Sequence, residues 1–118
     1  MLLHDDYAKY LLSLIQAIEK ATGQRNQISL ISKKIIILER CNEYDLCKNL
    51  LAVFENYIDV DSKEYETIFY IKLRCMYFDD LYDDILPLCN NQSQRILKFS
   101  SDVRIQILFM VGRVHYVL

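Results

Sequence analysis

Five amphipathic stretches follow one another along the chain with only a few residues between them, and a sixth, apolar on nearly every side, runs into the last residue. Apolar residues that recur every three or four positions share one face of a helix, whereas on a strand they would scatter over both faces. The first stretch, about Asp5 to Thr22, places Tyr7, Tyr10, Leu11, Leu14, Ile15 and Ile18 on such a stripe, with Asp5 or Asp6 to cap its start and Gly23 to end it. The second, about Gln27 to Cys41, carries Ile28, Ile31, Ile35 and Leu38. Its run Ile35-Ile36-Ile37-Leu38 would also suit a buried strand, but its length and the flanking Lys33, Lys34, Glu39 and Arg40 favour a helix.

A break of about two residues at Cys41 and Asn42 leads to a third helix, about Glu43 to Ile58, with Tyr44, Cys47, Leu51, Phe54 and Ile58 on its face. So short a connection demands antiparallel neighbours. Asp59, Asp61 and Ser62 then make a polar turn that caps a fourth helix marked by Tyr65, Ile68, Phe69, Leu73, Met76 and Tyr77. Leu81, Tyr82, Ile85, Leu86 and Cys89 predict a short fifth helix, bent or terminated by Pro87 near its end. Asn90 to Gln94 reads as the clearest loop, with room for a further short turn over Arg95 to Ser100. In the last stretch, about Ser101 to Leu118, Val103, Ile105, Ile107, Leu108, Phe109, Val111, Val114, Val117 and Leu118 encircle the helix, so that it needs neighbours on several sides. The rival for this stretch is a hairpin about Gly112, for which the remaining chain offers no strand edge to pair with.

Composition narrows the class. A chain of 118 residues with 53% hydrophobic and 25% charged residues is long enough to bury one core, and its two glycines and one proline leave little material for strand-connecting turns. The expected fold is all-α, with about six helices in one domain spanning residues 1–118. A formal charge of −2 and dispersed basic residues argue against nucleic acid or an anionic membrane as partner. Cys41, Cys47, Cys75 and Cys89 form no CxxC pair and lie mostly among apolar residues, as small core side chains of a reducing compartment do. With no basic, apolar start that would make a secretory signal, and no membrane-length apolar run, the expected location is intracellular, cytoplasmic or nuclear.

Expected helix starts near residues 28, 62 and 101 alternate with starts near 43 and 79, a two-helix unit recurring as in stacked helical hairpins. The spacing resembles the tetratricopeptide repeat family. Leu108, Val111, Gly112 and His115 stand where that family's first helix uses a large apolar residue, a leucine, a small residue and a tyrosine, the histidine being a departure. In the earlier unit Ile31, Ile35 and Leu38 would face Cys47, Leu51 and Phe54, with Cys47 where the family prefers alanine and Ile35 where it prefers a small residue. The resemblance covers about residues 28–118 and implies a superhelix of antiparallel hairpins that binds protein or peptide; a compact helical bundle is the alternative. In this register the chain ends after the first helix of its last unit. It is then either the N-terminal part of a longer solenoid, or its final helix caps the array and leaves apolar surface for another chain.

Asp79, Asp80, Leu81, Tyr82, Asp83 and Asp84 make a DDxxD pattern that resembles the magnesium-binding aspartates of polyprenyl and terpene synthases. That family's second acidic site and large helical chamber have no room here. The plainer expectation has Asp79 and Asp80 capping the fifth helix, with Asp83 and Asp84 in its first turns beside the positive end of its dipole. His4 and His115 lie in no nucleophile signature, and Gly23 and Gly112 cannot make a phosphate loop. No catalytic, cofactor or metal site is therefore expected.

The function these residues suggest is a non-enzymatic interaction module or scaffold subunit. Its partner contacts would be Tyr57 and Tyr70 at the margins of their stripes, Asp79, Asp80, Asp83 and Asp84 for a basic protein or peptide, and Val111, Val114, Val117 and Leu118 on the apolar terminal helix, through which homo- or hetero-oligomers would form. A peptide-sensing regulator of tetratricopeptide type, and a viral or effector bundle that captures a host protein, are the alternatives.

Overall fold

A computed structural model describes the backbone of residues 4–22 and 27–117, and the side chains of 9–17, 19–20 and 29–117. Every regular element among the described residues is helical: α1 (His4–Thr22), α2 (Gln27–Arg40), α3 (Tyr44–Phe54), α4 (Lys63–Phe78), α5 (Tyr82–Asn91), α6 (Ser93–Ile96) and α7 (Ser101–Val117), with a 3₁₀ turn at Glu55–Tyr57. The strand alternatives for Ile35–Leu38 and for the stretch around Gly112 are thereby settled as helix. The side chains of the expected caps Asp5 and Asp6 and of the stripe residues Tyr7, Ile18 and Ile28, and the whole of the expected terminator Gly23, lie outside what is described. No helix among the described residues is long and apolar enough to cross a membrane.

The chain divides into two compact units, residues 1–68 and 69–118. In the first, α3 is the hub, packed against both α1 and α2. Cys47, Leu50, Leu51 and Phe54 fall three, one and three positions apart and form its buried face, joined by Ile31 and Ile35 of α2 and Ile15 of α1. The Cys47 thiol donates to the Ile35 carbonyl oxygen at 3.5 Å, so α2 and α3 meet in the register that their apolar stripes predict.

The turn between them is a Schellman motif: Glu43 N–H reaches the Leu38 carbonyl at 2.9 Å, Asn42 N–H reaches Glu39 at 3.0 Å, and Asn42 takes the left-handed φ of 62° that asparagine tolerates better than most residues. After α3, Ile58 turns extended and stays buried. Asp59 Oδ1 then accepts the Asp61 N–H at 2.9 Å, and the Ser62 hydroxyl donates to the Asp59 carbonyl at 2.7 Å, building the polar turn ahead of α4.

In the second unit α5 packs on α6 and α7, and Ile71, Leu73, Cys75, Ile85, Cys89 and Ile96 are buried. The Phe69 and Phe99 rings meet edge-on at 5.8 Å, tying α4 to the turn that follows α6. Pro87 does not end α5, which continues to Asn91; its missing N–H costs one rung of the ladder in an exposed part of the helix. The loop expected over Asn90 to Gln94 is mostly helical. Gln92 alone leaves helical geometry, at φ −105° and ψ 15°, and hydrogen bonds from Gln92 N–H to Leu88 and from Ile96 N–H to Gln92 carry the chain into α6, where Ile96 is buried. Of the four cysteines, Cys41 is exposed, and Cys47, Cys75 and Cys89 are buried.

A second Schellman motif closes α4. Leu81 N–H bonds to the Met76 carbonyl at 2.9 Å and Asp80 N–H to Tyr77 at 3.1 Å, with Asp80 left-handed at φ 60°. The expectation that Asp79 and Asp80 cap α5 is therefore corrected: Asp80 serves the end of α4, and Leu81 starts α5 without a side-chain cap. Asp83 and Asp84 do stand in the first turn of α5, as expected.

Candidate functional site

Successive residues of a helix turn by about 100°, so residues at intervals of three, four and seven share a face. On α7, Ile107, Met110 and Val114 form the buried face. On the opposite side Ile105, Leu108, Phe109, Gly112 and Tyr116 line up in a second stripe, and here Phe109 is 69% and Tyr116 93% exposed. The apolar ring legible in the sequence thus resolves into two faces, one packed by the chain and one open. Leu108, Phe109, Gly112, Arg113 and Tyr116, with Tyr77 of α4 beside them, line a groove of about 420 Å³.

Gly112 forms the floor of this stripe. A Cβ built there would meet nothing within 4 Å, so the glycine makes room for no part of the described chain, although glycine inside a helix costs about 1 kcal/mol relative to alanine. Backbone bared between large apolar side chains allows close approach from outside.

The acidic turn adjoins the groove through an aromatic contact. Tyr77, on the groove wall, meets Tyr82 edge-on with ring centroids 5.2 Å apart, and the Tyr82 hydroxyl donates to Asp80 Oδ1 at 2.9 Å. That hydrogen bond, formed to a carboxylate, holds the Tyr82 phenol above its ordinary pKa of 10.0. Asp79, Asp80, Asp83 and Asp84 are all exposed, and Arg113 supplies one positive charge on the groove itself.

The other residues expected at the contact surface are distributed differently. Val117 is half exposed and lines the groove, Val111 is half-buried, and Val114, at 0% exposure, packs inward, because it follows Ile107 by seven positions on the buried face. Leu118 lies outside the described residues. Tyr70 is half-buried under the Arg74 guanidinium, which sits 5.9 Å from its ring centroid and 5.8 Å from that of Phe78. Tyr57 belongs to the first unit, where it is half exposed on a separate polar cleft. Leu108, Phe109 and Tyr116 are not among the expected contacts, although the intervals from Ile105 to Tyr116 place them on one exposed face. No protein-family model matches the chain, and no curated protein or solved structure matches it either.

Proposed function

We propose that this chain is a non-enzymatic protein-interaction module of tetratricopeptide-like helical hairpins, which binds a basic amphipathic helix along the outer face of α7. The observation that carries this reading is the open apolar stripe with Gly112 at its centre, bordered by the acidic turn. Burial of Leu108, Phe109 and Tyr116 would supply most of the affinity, as large apolar and aromatic anchors do at interfaces. The four aspartates would speed encounter with a positively charged partner and disfavour an acidic one. Helix starts at residues 27, 63 and 101, alternating with 44 and 82, support the repeated-hairpin organisation. The burial of Cys47, Cys75 and Cys89 as small core side chains supports a reducing compartment.

Fluorescence anisotropy with two labelled synthetic helices tests the proposal. Both carry the same leucine stripe, one flanked by lysines and the other by glutamates. The lysine-flanked helix binds, the glutamate-flanked one binds more weakly, and the double change Leu108→Ser with Phe109→Ser lowers the first affinity roughly tenfold or more. Equal binding of the two helices, or indifference to the double change, would refute it.

A further inference from the structure

The partner expected at α7 is a basic amphipathic helix, and this chain presents one of its own. Successive residues of α2 turn by about 100°, which sets Ile31, Ser32 and Ile35 on its buried side and Leu30, Lys33, Ile37 and Arg40 on the side opposite. All four of the latter are exposed, Leu30 to 54% and Ile37 to 58%. Seven residues apart, Leu30 and Ile37 lie one above the other along the helix.

Charge on α2 is sorted by face. Its basic residues are Lys33, Lys34 and Arg40, of which Lys33 and Arg40 are exposed and Lys34 is half-buried at the margin of the same side. Glu39, the acidic residue of α2, falls on the packed side and is half-buried. The outer stripe is therefore apolar and positive, whereas Asp79, Asp80, Asp83 and Asp84 stand exposed on the turn that Tyr82 and Tyr77 join to the α7 groove. The two surfaces also match in length: Leu30 to Arg40 spans about 15 Å and Ile105 to Tyr116 about 16 Å, at 1.5 Å per helical residue.

We propose that the open stripe of α7 receives the outer face of α2 from a second copy of this chain. Leu30 and Ile37 rest among Leu108, Phe109 and Tyr116, and Lys33 and Arg40 meet the acidic turn. Resting on the docking face proposed for α7, the contact joins unlike surfaces and is heterologous, so assembly continues from copy to copy until it closes on itself. Pairing of two α7 faces would instead bring two acidic turns into one interface, where like charges oppose association.

Sedimentation velocity of the full chain over a wide range of concentration tests the proposal. The parent gains mass with concentration. Lys33→Glu with Ile37→Ser on α2, and Leu108→Ser with Phe109→Ser on α7, each weaken self-association roughly tenfold or more, while the helical circular dichroism is kept because all four positions are exposed. Lys33→Glu with Arg40→Glu, which leaves every apolar side chain in place, weakens it as well. The α2 and α7 variants mixed in equal amounts recover association, because the intact α7 of the first meets the intact α2 of the second. A parent monomeric throughout, an α2 variant that associates as the parent does, or a mixture without recovery would overturn the proposal. The lysine-flanked synthetic helix keeps the two readings apart, since its capture by a chain that never self-associates would remove the second copy as occupant and leave docking at α7 standing.

Discussion

Two residues apart on α7, Ile107 and Phe109 face opposite ways, and truncating each to alanine measures how fully the helix is used by its own chain. Ile107 is 1% exposed. Ile107→Ala deletes three buried carbons, worth about 0.8 kcal/mol each, and leaves a cavity whose cost brings the total to about 3–4 kcal/mol. At a urea slope of about 1.5–2 kcal/mol/M the midpoint falls by roughly 2 M. Phe109 is 69% exposed, so Phe109→Ala removes less than about 1 kcal/mol of burial. The better helix propensity of alanine returns about half of that, and the net change stays within about 0.5 kcal/mol. Urea titrations followed by far-ultraviolet circular dichroism at low protein concentration compare the two variants with the parent. If Phe109→Ala destabilised as much as Ile107→Ala, the outer stripe would be covered by the chain itself and the interaction proposal would lose its basis.

Gly112→Ala should raise stability by about 1 kcal/mol in the same titration, because the new methyl meets nothing within 4 Å and removes a helix-interior glycine, yet weaken docking of the lysine-flanked helix. Asn42→Gly should gain up to about 1 kcal/mol by relieving the left-handed φ of 62°, whereas Asn42→Val should lose about 1–2 kcal/mol; opposite signs would mean that the turn does not hold this conformation in solution. Burial pushes the Cys89 thiol from its ordinary 9.0 to about 11. The folded state then keeps its proton where the unfolded chain has lost it, so the stability tied to the neutral thiol is complete below pH 9 and lost as pH rises through about 11. Cys89→Ala should flatten that decline in denaturation curves recorded across the same interval; an identical pH dependence in variant and parent would refute it.

Helical class was legible because nearly every stripe keeps one period, and the expected starts near residues 28, 43, 62 and 101 fall within a residue of those of α2, α3, α4 and α7. The α2–α3 register was legible too, since Ile35 and Cys47 had to meet across so short a turn. The two faces of α7 were not assigned, because apolar residues on every side leave the direction of the core undefined until Ile85 and Cys89 of α5 supply one. Contacts were consequently expected at Val114, on the packed side, and not at Phe109. Asp80 was misplaced for another reason: aspartate serves both as an N-cap and as a left-handed C-terminal residue, and only the hydrogen bonds to Met76 and Tyr77 decide between them. The cleft of the first unit was not legible in the sequence, because Glu19, Ser32 and Asp59, which line it, are far apart along the chain and match no motif.

The exposure of Cys41, with Cys47, Cys75 and Cys89 sealed, gives experimenters a handle. Brief treatment with a maleimide dye under native conditions will tag one position, beside the tight bend at Asn42, without any engineering of the gene. A fluorophore anchored there sits between α2 and α3, so that changes in their packing alter its surroundings directly.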